Sequence, residues 1–400
     1  MGNRLWIISE YYYPIVTSTG YYMTEIAEYL ASRGMDVNVI CTGSRYNETD
    51  TYEIKEFEIH NGVKIHRAKV KEIDKNSFIK RSIRLLYSSG ALVKKIFSLV
   101  KKKDKLLVVT NPAFLLLAMP TVAKLKRVSY TLLAHDIFPE NLVAINKIKS
   151  SSAGYKILKR LFDKAYIRSS QCISIGRDMS EILAEKTKSG TPIRLLPNWS
   201  DNDKVNCIAK EDTQLYKELG IHNFVFQFAG NIGHAQGIDN ILSAIDRIKE
   251  KNISFLFIGG GAKAHTVEEF SNTHSNVISL GYRNRSEQND FLNMCDVAIV
   301  TLSDGMYGLG VPSKAYNIMA TGKPILFVGE PTSEIALCIQ EYGIGWVVGP
   351  NNPDALVNAI EKIYSQRDHI KDFSKKSRQL ADGLFSKQNI LNKYFELLNH

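Results

Sequence analysis

The sequence predicts an α/β protein made of two successive doubly wound parallel sheets. Three observations carry that expectation. The chain has 400 residues, too many for one ordinary core and suited to two domains of about 100–200 residues each. Short apolar runs alternate with stretches of helical period along the whole chain, the pattern of parallel strands joined by helices. Each half also opens alike, with an apolar run, then a loop containing glycine, then a helical period.

In the first half the expected strands cover residues 5–9, 36–41, 105–110, 129–134, 172–175 and 193–196. In the second half they cover 224–229, 253–258, 277–280, 297–301, 324–328 and 346–348. Helical periods fill the gaps. Met23, Ile26, Ala27 and Leu30 make one apolar stripe, closed by Gly34. Polar residues cluster at 198–212, so the expected division is a first domain of residues 1–200 and a second of 201–384. A last helix over 385–400 is expected to lie back on the first domain. In such folds ligands bind at the carboxyl ends of the strands, so the loops there matter most.

Bulk properties narrow the function. A hydrophobic content of 44% and a charged content of 23% are those of a folded globular chain rather than a disordered one. The run Leu5-Trp6-Ile7-Ile8 is too short for a signal peptide and reads as a buried strand. The most apolar stretch, residues 114–123, is interrupted by Pro120 and falls far short of the ~20 residues that span a bilayer. The expectation is a cytoplasmic chain that does not cross a membrane. Five scattered cysteines, never spaced Cys-x-x-Cys, read as buried thiols in a reducing compartment. Charge is uneven: residues 1–200 hold 32 Lys and Arg against 18 Asp and Glu, the remainder 19 against 23. The two halves are expected to meet different partners.

The first loop, residues 12–20, ends in Gly20, where a backbone can approach closely and free helix-start amides favour an anion. In the second half Gly230-Asn231-Ile232-Gly233 occupies the same place, and Gly259-Gly260-Gly261 follows the next strand. None of these matches a P-loop or Gly-x-Gly-x-x-Gly, so a dinucleotide oxidoreductase is not supported. Residues 304–324 are the most informative: Gly305, Gly308 and Gly310 form a pliable loop, Pro312 suits a first helical turn, and Ser313-Lys314 stands where backbone amides point outward. Helix dipole, backbone donors and ammonium together make a diphosphate site. An ordinary capped helix is the other reading.

The order of Gly-Asn-Ile-Gly, Phe-Ile-Gly-Gly-Gly, Leu-Gly-Tyr-Arg, Cys-Asp-Val-Ala-Ile-Val and Pro-Ser-Lys…Met-Ala-Thr-Gly-Lys-Pro resembles glycosyltransferase family 4. Leu196-Pro197-Asn198-Trp199-Ser200-Asp201 resembles the family's junction motif, and His135-Asp136 its His-Asp element near the donor sugar. The resemblance covers nearly the whole chain. It implies the GT-B architecture, two facing Rossmann-like domains with the donor nucleotide on the second, and transfer with retention of configuration. It implies a nucleotide-sugar donor, with UDP the expected nucleotide, and no cofactor. The residues it points to for catalysis are His135, Asp136 and Lys314. For the donor they are Gly20, Gly230, Asn231, Gly233, Gly260, Tyr282, Arg283, Gly308, Gly310, Ser313 and Asn317.

The chain departs from the family at several places. The usual Glu-x7-Glu pair falls at Leu309 and Asn317, the first-loop Gly-Gly becomes Thr19-Gly20, and the diphosphate-binding Arg and Lys become Asn231 and Gln236. Pro-Ser-Lys followed by Asn resembles the branch of N-acetylfucosaminyl and colanic-acid-type transferases that build bacterial O-antigen and capsule. Asn317 is then expected to hold a ribose hydroxyl and Lys314 to replace the missing cations.

His135 has two readings, a satisfied polar group behind a buried strand or a donor to the sugar. No carboxylate pair for a glycosidase-like double displacement is visible. Asp201-Asn202-Asp203 mimics a metal motif but lies in the junction, so no metal is assigned. Residues 69–105 hold 12 Lys and Arg against 3 Asp and Glu, with Ile79, Ile83, Leu86, Val93, Phe97 and Val100 at helical spacing. Either this helix packs in the core with a basic outer face, or it lies on anionic lipid and brings the enzyme to a polyprenyl-linked saccharide acceptor at the inner face of the cytoplasmic membrane. Nucleic acid is not an expected partner, since no binding signature accompanies the charge. Two rivals remain, a nucleotide-sugar epimerase of the same architecture and a basic lipid-binding scaffold without catalysis.

Overall fold

The computed structural model describes residues 4–15, 17–43, 54–70 and 78–399, with side chains from residue 80 onward in the helix that begins at 78. Val16 of the first loop, residues 71–77 of the basic stretch and the side chain of Ile79 lie outside the described residues. By its contacts the chain divides into two units. One comprises Met1–Leu196, Gly308–Gly310 and Leu391–His400; the other comprises Pro197–Tyr307 and Val311–Ile390.

The first unit runs β1 (Leu5–Ile8), α1 (Ser18–Ser32), β2 (Val37–Thr42), β3 (Phe57–His60), β4 (Val63–Ala68), α2 (Phe78–Leu99), β5 (Lys105–Val109) and α3 (Ala113–Lys126). It continues with β6 (Ser129–Ala134), α4 (Glu140–Ala144), α5 (Ala153–Ile167), β7 (Gln171–Ser174), α6 (Arg177–Thr187) and β8 (Ile193–Leu195). The sheet order is β3-β4-β2-β1-β5-β6-β7-β8. Every residue of β1 and β2 is buried, which is why these strands read as unbroken apolar runs rather than alternating ones. Thr17 caps α1 by accepting a hydrogen bond from Gly20 N at 3.0 Å, and the predicted stripe Met23, Ile26, Ala27, Leu30 is its buried face. On the helical side α2 packs on α3, α3 on α5, and α5 on α6.

The second unit runs α7 (Gln214–Leu219), β9 (Phe224–Ala229), α8 (Ile238–Ile245), β10 (Ile253–Ile258), α9 (Ala264–Ser271), β11 (Val277–Ser279) and α10 (Gln288–Asn293). Then come β12 (Val297–Thr301), α11 (Lys314–Ala320), β13 (Ile325–Val328), α12 (Glu334–Tyr342), β14 (Gly345–Val348), α13 (Pro353–Ser365), α14 (Ile370–Asp382) and α15 (Lys387–Leu398). Its six strands are all parallel, in the order β11-β10-β9-β12-β13-β14. Phe226 lies opposite Phe255, and Phe228 opposite Phe257, across β9 and β10. Their ring centroids are 5.7 and 6.2 Å apart, so aromatic cross-strand pairs fill one face of the sheet.

All twelve predicted strands are present, each within one residue of its expected limits. Among the described residues the parallel pattern has one exception. The β3–β4 hairpin is antiparallel, closed by Asn61-Gly62 with both φ angles positive, the geometry that two-residue hairpins favour. The end of α15 belongs to the first unit, where the Arg33 guanidinium lies 4.8 Å from the Phe395 ring centroid and Tyr29 is hydrogen-bonded to Asn392.

Candidate functional site

In the second unit the loops after β9, β10 and β11 are laced together by their backbones. Gly230 N donates to Ile258 O at 2.8 Å, Ile232 N to Gly260 O at 2.9 Å, and Gly259 N to Gly281 O at 2.7 Å. A Cβ on Gly259 (φ +143°) would fall 1.9 Å from Gly230 O. Only glycine permits that approach. Asn231 is wedged among the turns: a Cβ on Gly233 would meet its Nδ2 at 2.8 Å and one on Gly261 its Oδ1 at 2.6 Å. Gly260 faces Tyr282, a residue 70% exposed. Arg283 Nη1 lies 3.4 Å from Glu287 Oε1.

Lys314 begins α11, directly after its N-cap Ser313. Its Nζ sits 3.6 Å from the centroid of the Phe228 ring and 3.1 Å from the point where Gly230 would carry a Cβ. The ammonium is buried and has no hydrogen-bond partner among the described residues. Burial alone pulls its pKa down to about 7, because a charge removed from water with nothing to pair it is costly. The ring face beneath offers only a partial offset. Gln236 Oε1, both side-chain polar atoms of Asn240 and Arg283 Nε are likewise buried without a partner among the described residues. All four side chains belong to segments that follow the carboxyl ends of β9, β11 and β12. Such orphaned donors and acceptors beside glycine backbone suit a polyanion whose phosphate oxygens accept and whose hydroxyls donate.

Asn317 has a different neighbourhood. It is 8% exposed, and its Oδ1 accepts a hydrogen bond from Asp201 N at 3.0 Å, while Ser200 Oγ donates to Tyr316 O at 2.8 Å. These bonds fasten the 200–201 segment to α11.

In the first unit His135 and Asp136 follow β6. Both backbone amides donate to Thr110 Oγ1, at 3.1 and 3.2 Å, which fixes the turn. His135 Nδ1 lies 3.5 Å from Thr19 Oγ1, and Tyr22 meets its ring edge-on at 6.3 Å. Burial lowers the His135 pKa to about 4, so the ring is neutral at pH 7. The same burial raises Asp136 to about 6, against the pull of Arg81. Gly20, in the first turn of α1, has the Ile15 carbonyl oxygen 2.5 Å from where its Cβ would be. Gly308 and Gly310 cluster with this unit. A Cβ on Gly308 (φ +66°) would meet Ile182 at 2.6 Å, one on Gly310 would lie 3.7 Å from Asp136 Oδ1, and Ile137 N donates to Leu309 O at 3.2 Å.

Three features escaped sequence reasoning. Glu10, 1% exposed just past β1, is paired with Arg84 of α2, which also donates to Tyr11 Oη at 3.1 Å. Lys186 of α6, 4% exposed, holds Glu140 of α4 at 2.8 Å and Asp163 of α5 at 2.5 Å. Neither pairing leaves a local signal, because the partners are 74, 46 and 23 residues apart. Asn240 is the third, a polar residue beside Asp239 in the first turn of α8 that spacing alone does not mark. No group of three or more His, Cys, Asp or Glu placed to hold a metal occurs among the described residues. No helix among them is long and apolar enough to cross a membrane.

The sequence model described as "Glycosyl transferases group 1" matches residues 214–380. "Probable glycosyltransferase WbjE" of Pseudomonas aeruginosa is 36% identical over 367 residues, spanning 90% of this chain and 89% of its own. WcaI of Escherichia coli (strain K12), described as a colanic acid biosynthesis glycosyl transferase, is 24% identical over 400 residues and 96% of each chain. Among solved structures, Anabaena HepE in complex with UDP-glucose superposes with a TM-score of 0.72 at 14% identity, covering 100% of both chains.

Proposed function

The chain belongs to the group 1 glycosyl transferases, with the GT-B fold of two Rossmann-like units, and on that premise we propose that it transfers a hexosyl unit, of N-acetylfucosaminyl type, from a UDP-linked donor to a polyprenyl-linked saccharide in surface-polysaccharide assembly. The observation that carries the donor reading is Lys314: a buried ammonium beside Gly230, among laced glycine loops, with no hydrogen-bond partner among the described residues. A diphosphate there gives the ammonium the counter-charge it lacks and receives backbone donors in return. HepE, of the same fold, is known in complexes with UDP and UDP-glucose, which supports UDP as the nucleotide. The colanic-acid description of WcaI supports a polysaccharide product.

In this reading Tyr282 and Arg283 flank the base, Gly260 and Gly230 let phosphate approach the backbone, and Lys314 stabilises the leaving diphosphate as its charge grows. His135, neutral at pH 7, hydrogen-bonds the sugar, and ionised Asp136 favours the positive charge that develops on its reacting carbon. The leaving phosphate assists attack on the same face, so the anomeric configuration is retained, and cation chemistry falls to Lys314 rather than a metal. The exposed basic face of α2 holds the enzyme on the inner, anionic surface of the cytoplasmic membrane.

The test is product analysis with UDP-sugars and a polyprenyl-diphosphate saccharide, in EDTA. Release of UDP with sugar joined to the lipid, of unchanged anomeric configuration by NMR, is expected. An isomerised UDP-sugar without UDP release would mean an epimerase instead. Activity lost in EDTA and restored by manganese would remove the metal-free mechanism.

A further inference from the structure

The outer surface of α2 is not packed in the core. Leu92 and Ile96 are buried, whereas Ile83, Leu86, Tyr87 and Phe97 are between 41% and 54% exposed. These apolar side chains share their exposed face with Lys80 and Lys94, and the helix carries no acidic residue. A second surface of the same kind lies on α5. Phe162, Ala165 and Tyr166 face inward, while Ile157 is 57% exposed and Leu161 48% exposed. At helical spacing Ile157, Leu161, Lys164 and Arg168 form one line, with Arg160 and Ile167 (43% exposed) on its flank. The single acid of α5, Asp163, is neutralised by Lys159 at 2.8 Å and Lys186 at 2.5 Å.

α3 packs against both helices and exposes Leu125 at 64%, next to exposed Lys124. Three neighbouring helices of the first unit thus present apolar side chains set among lysines and arginines. Resting on the membrane reading above, we infer that α5 is a second lipid-docking helix, and that anionic bilayer is held by the α2–α3–α5 layer rather than by α2 alone. The charge pattern selects this occupant. Basic side chains whose stems lie along apolar neighbours place their cations at the headgroups while the apolar groups enter the acyl boundary. Two separated lines of contact also fix the orientation of the unit on the surface, which one helix, free to roll about its axis, does not.

Full-length protein is sedimented with vesicles of phosphatidylglycerol and phosphatidylcholine, and with phosphatidylcholine alone. The wild type is compared with Ile157→Ser/Leu161→Ser on α5 and Ile83→Ser/Leu86→Ser on α2. All four side chains are exposed, so circular dichroism and UDP binding are expected to stay unchanged. Each pair should raise the lipid concentration for half-binding about tenfold or more. If the α5 pair binds anionic vesicles like the wild type while the α2 pair does not, α5 is no docking helix and the single-helix reading survives. If the wild type ignores anionic vesicles, both readings fall. If the α5 pair changes only self-association, this face meets a second copy and the inference is overturned.

Discussion

Replacing Lys314 by methionine separates what the lysine costs from what it does. Lys314 holds a buried ammonium with no hydrogen-bond partner among the described residues, its pKa drawn from 10.5 to about 7. At ~1.36 kcal/mol for each tenfold change in proton affinity, and with the group half deprotonated at pH 7, that fall amounts to about 4 kcal/mol against the folded state at pH 7. Relaxation and water entry at the loops reduce that, and about 2 kcal/mol is a fair net value. For a domain of this size 1 kcal/mol shifts the melting temperature by about 2–4 °C, so ligand-free Lys314→Met should melt about 4–8 °C higher. The sign also depends on pH. With its folded pKa below the unfolded value, the wild type binds fewer protons than the unfolded chain between about pH 7 and pH 10.5, so its stability rises across that window. The methionine variant should lose this rise. On the proposed reading UDP narrows or reverses that gap, because a charged hydrogen bond contributes roughly 1.5–3 kcal/mol. Its affinity should fall about ten- to a hundredfold in the variant. Scanning calorimetry with and without UDP reads both effects. A variant that melts lower when empty, or that gains as much from UDP as the wild type, would refute the reasoning.

Other outcomes follow from the same structure. UDP affinity should be flat below about pH 7 and fall by up to about tenfold per pH unit above it, until the pKa of the complex is reached; titration calorimetry checks this. Asn317→Ala removes the acceptor for Asp201 N and should cost about 1–3 kcal/mol in urea unfolding, with Asn317→Asp, which keeps an acceptor oxygen, recovering part of it. Arg84→Met removes a cation paired with buried Glu10 beside β1 and should destabilise the protein by about 3–5 kcal/mol at pH 7. That loss should shrink in acid as the carboxyl takes a proton.

The architecture was legible because strands covered on both faces must be apolar throughout. Leu5–Ile8 and Ile253–Ile258 announce themselves with no knowledge of their neighbours. The glycine loops were legible for a related reason: close backbone approach, as at Gly259 over Gly230, admits no other residue type. The β3–β4 hairpin carried its own signal in Asn61-Gly62 between alternating runs and was passed over because the parallel pattern around it is so regular. Asn317 shows the limit of motif position. Its place in the order of residues suggested a ribose ligand and gave no hint that its oxygen also accepts the Asp201 amide. The exposed apolar residues of α2 mark a second limit, since a helical stripe shows periodicity but not which face the protein covers. The Lys186 cluster was out of reach, because charges paired across three helices leave no trace in any local window.

The lacing of the three glycine loops bears on how donor preference can diverge in such proteins. Gly230, Gly259 and Gly260 are held by backbone-to-backbone bonds between neighbouring turns. A side chain at Gly259 would collide with Gly230 O rather than reach outward. The frame is therefore closed to gradual change: a substitution there breaks several loops together instead of reshaping one contact. Tyr282 stands on that frame largely exposed, and the Arg283 head group pairs with Glu287, four residues away on the same segment. Variation at these two positions leaves the frame untouched. A library that randomises residues 282 and 283 while keeping every loop glycine is where altered nucleotide choice should surface without loss of folded protein.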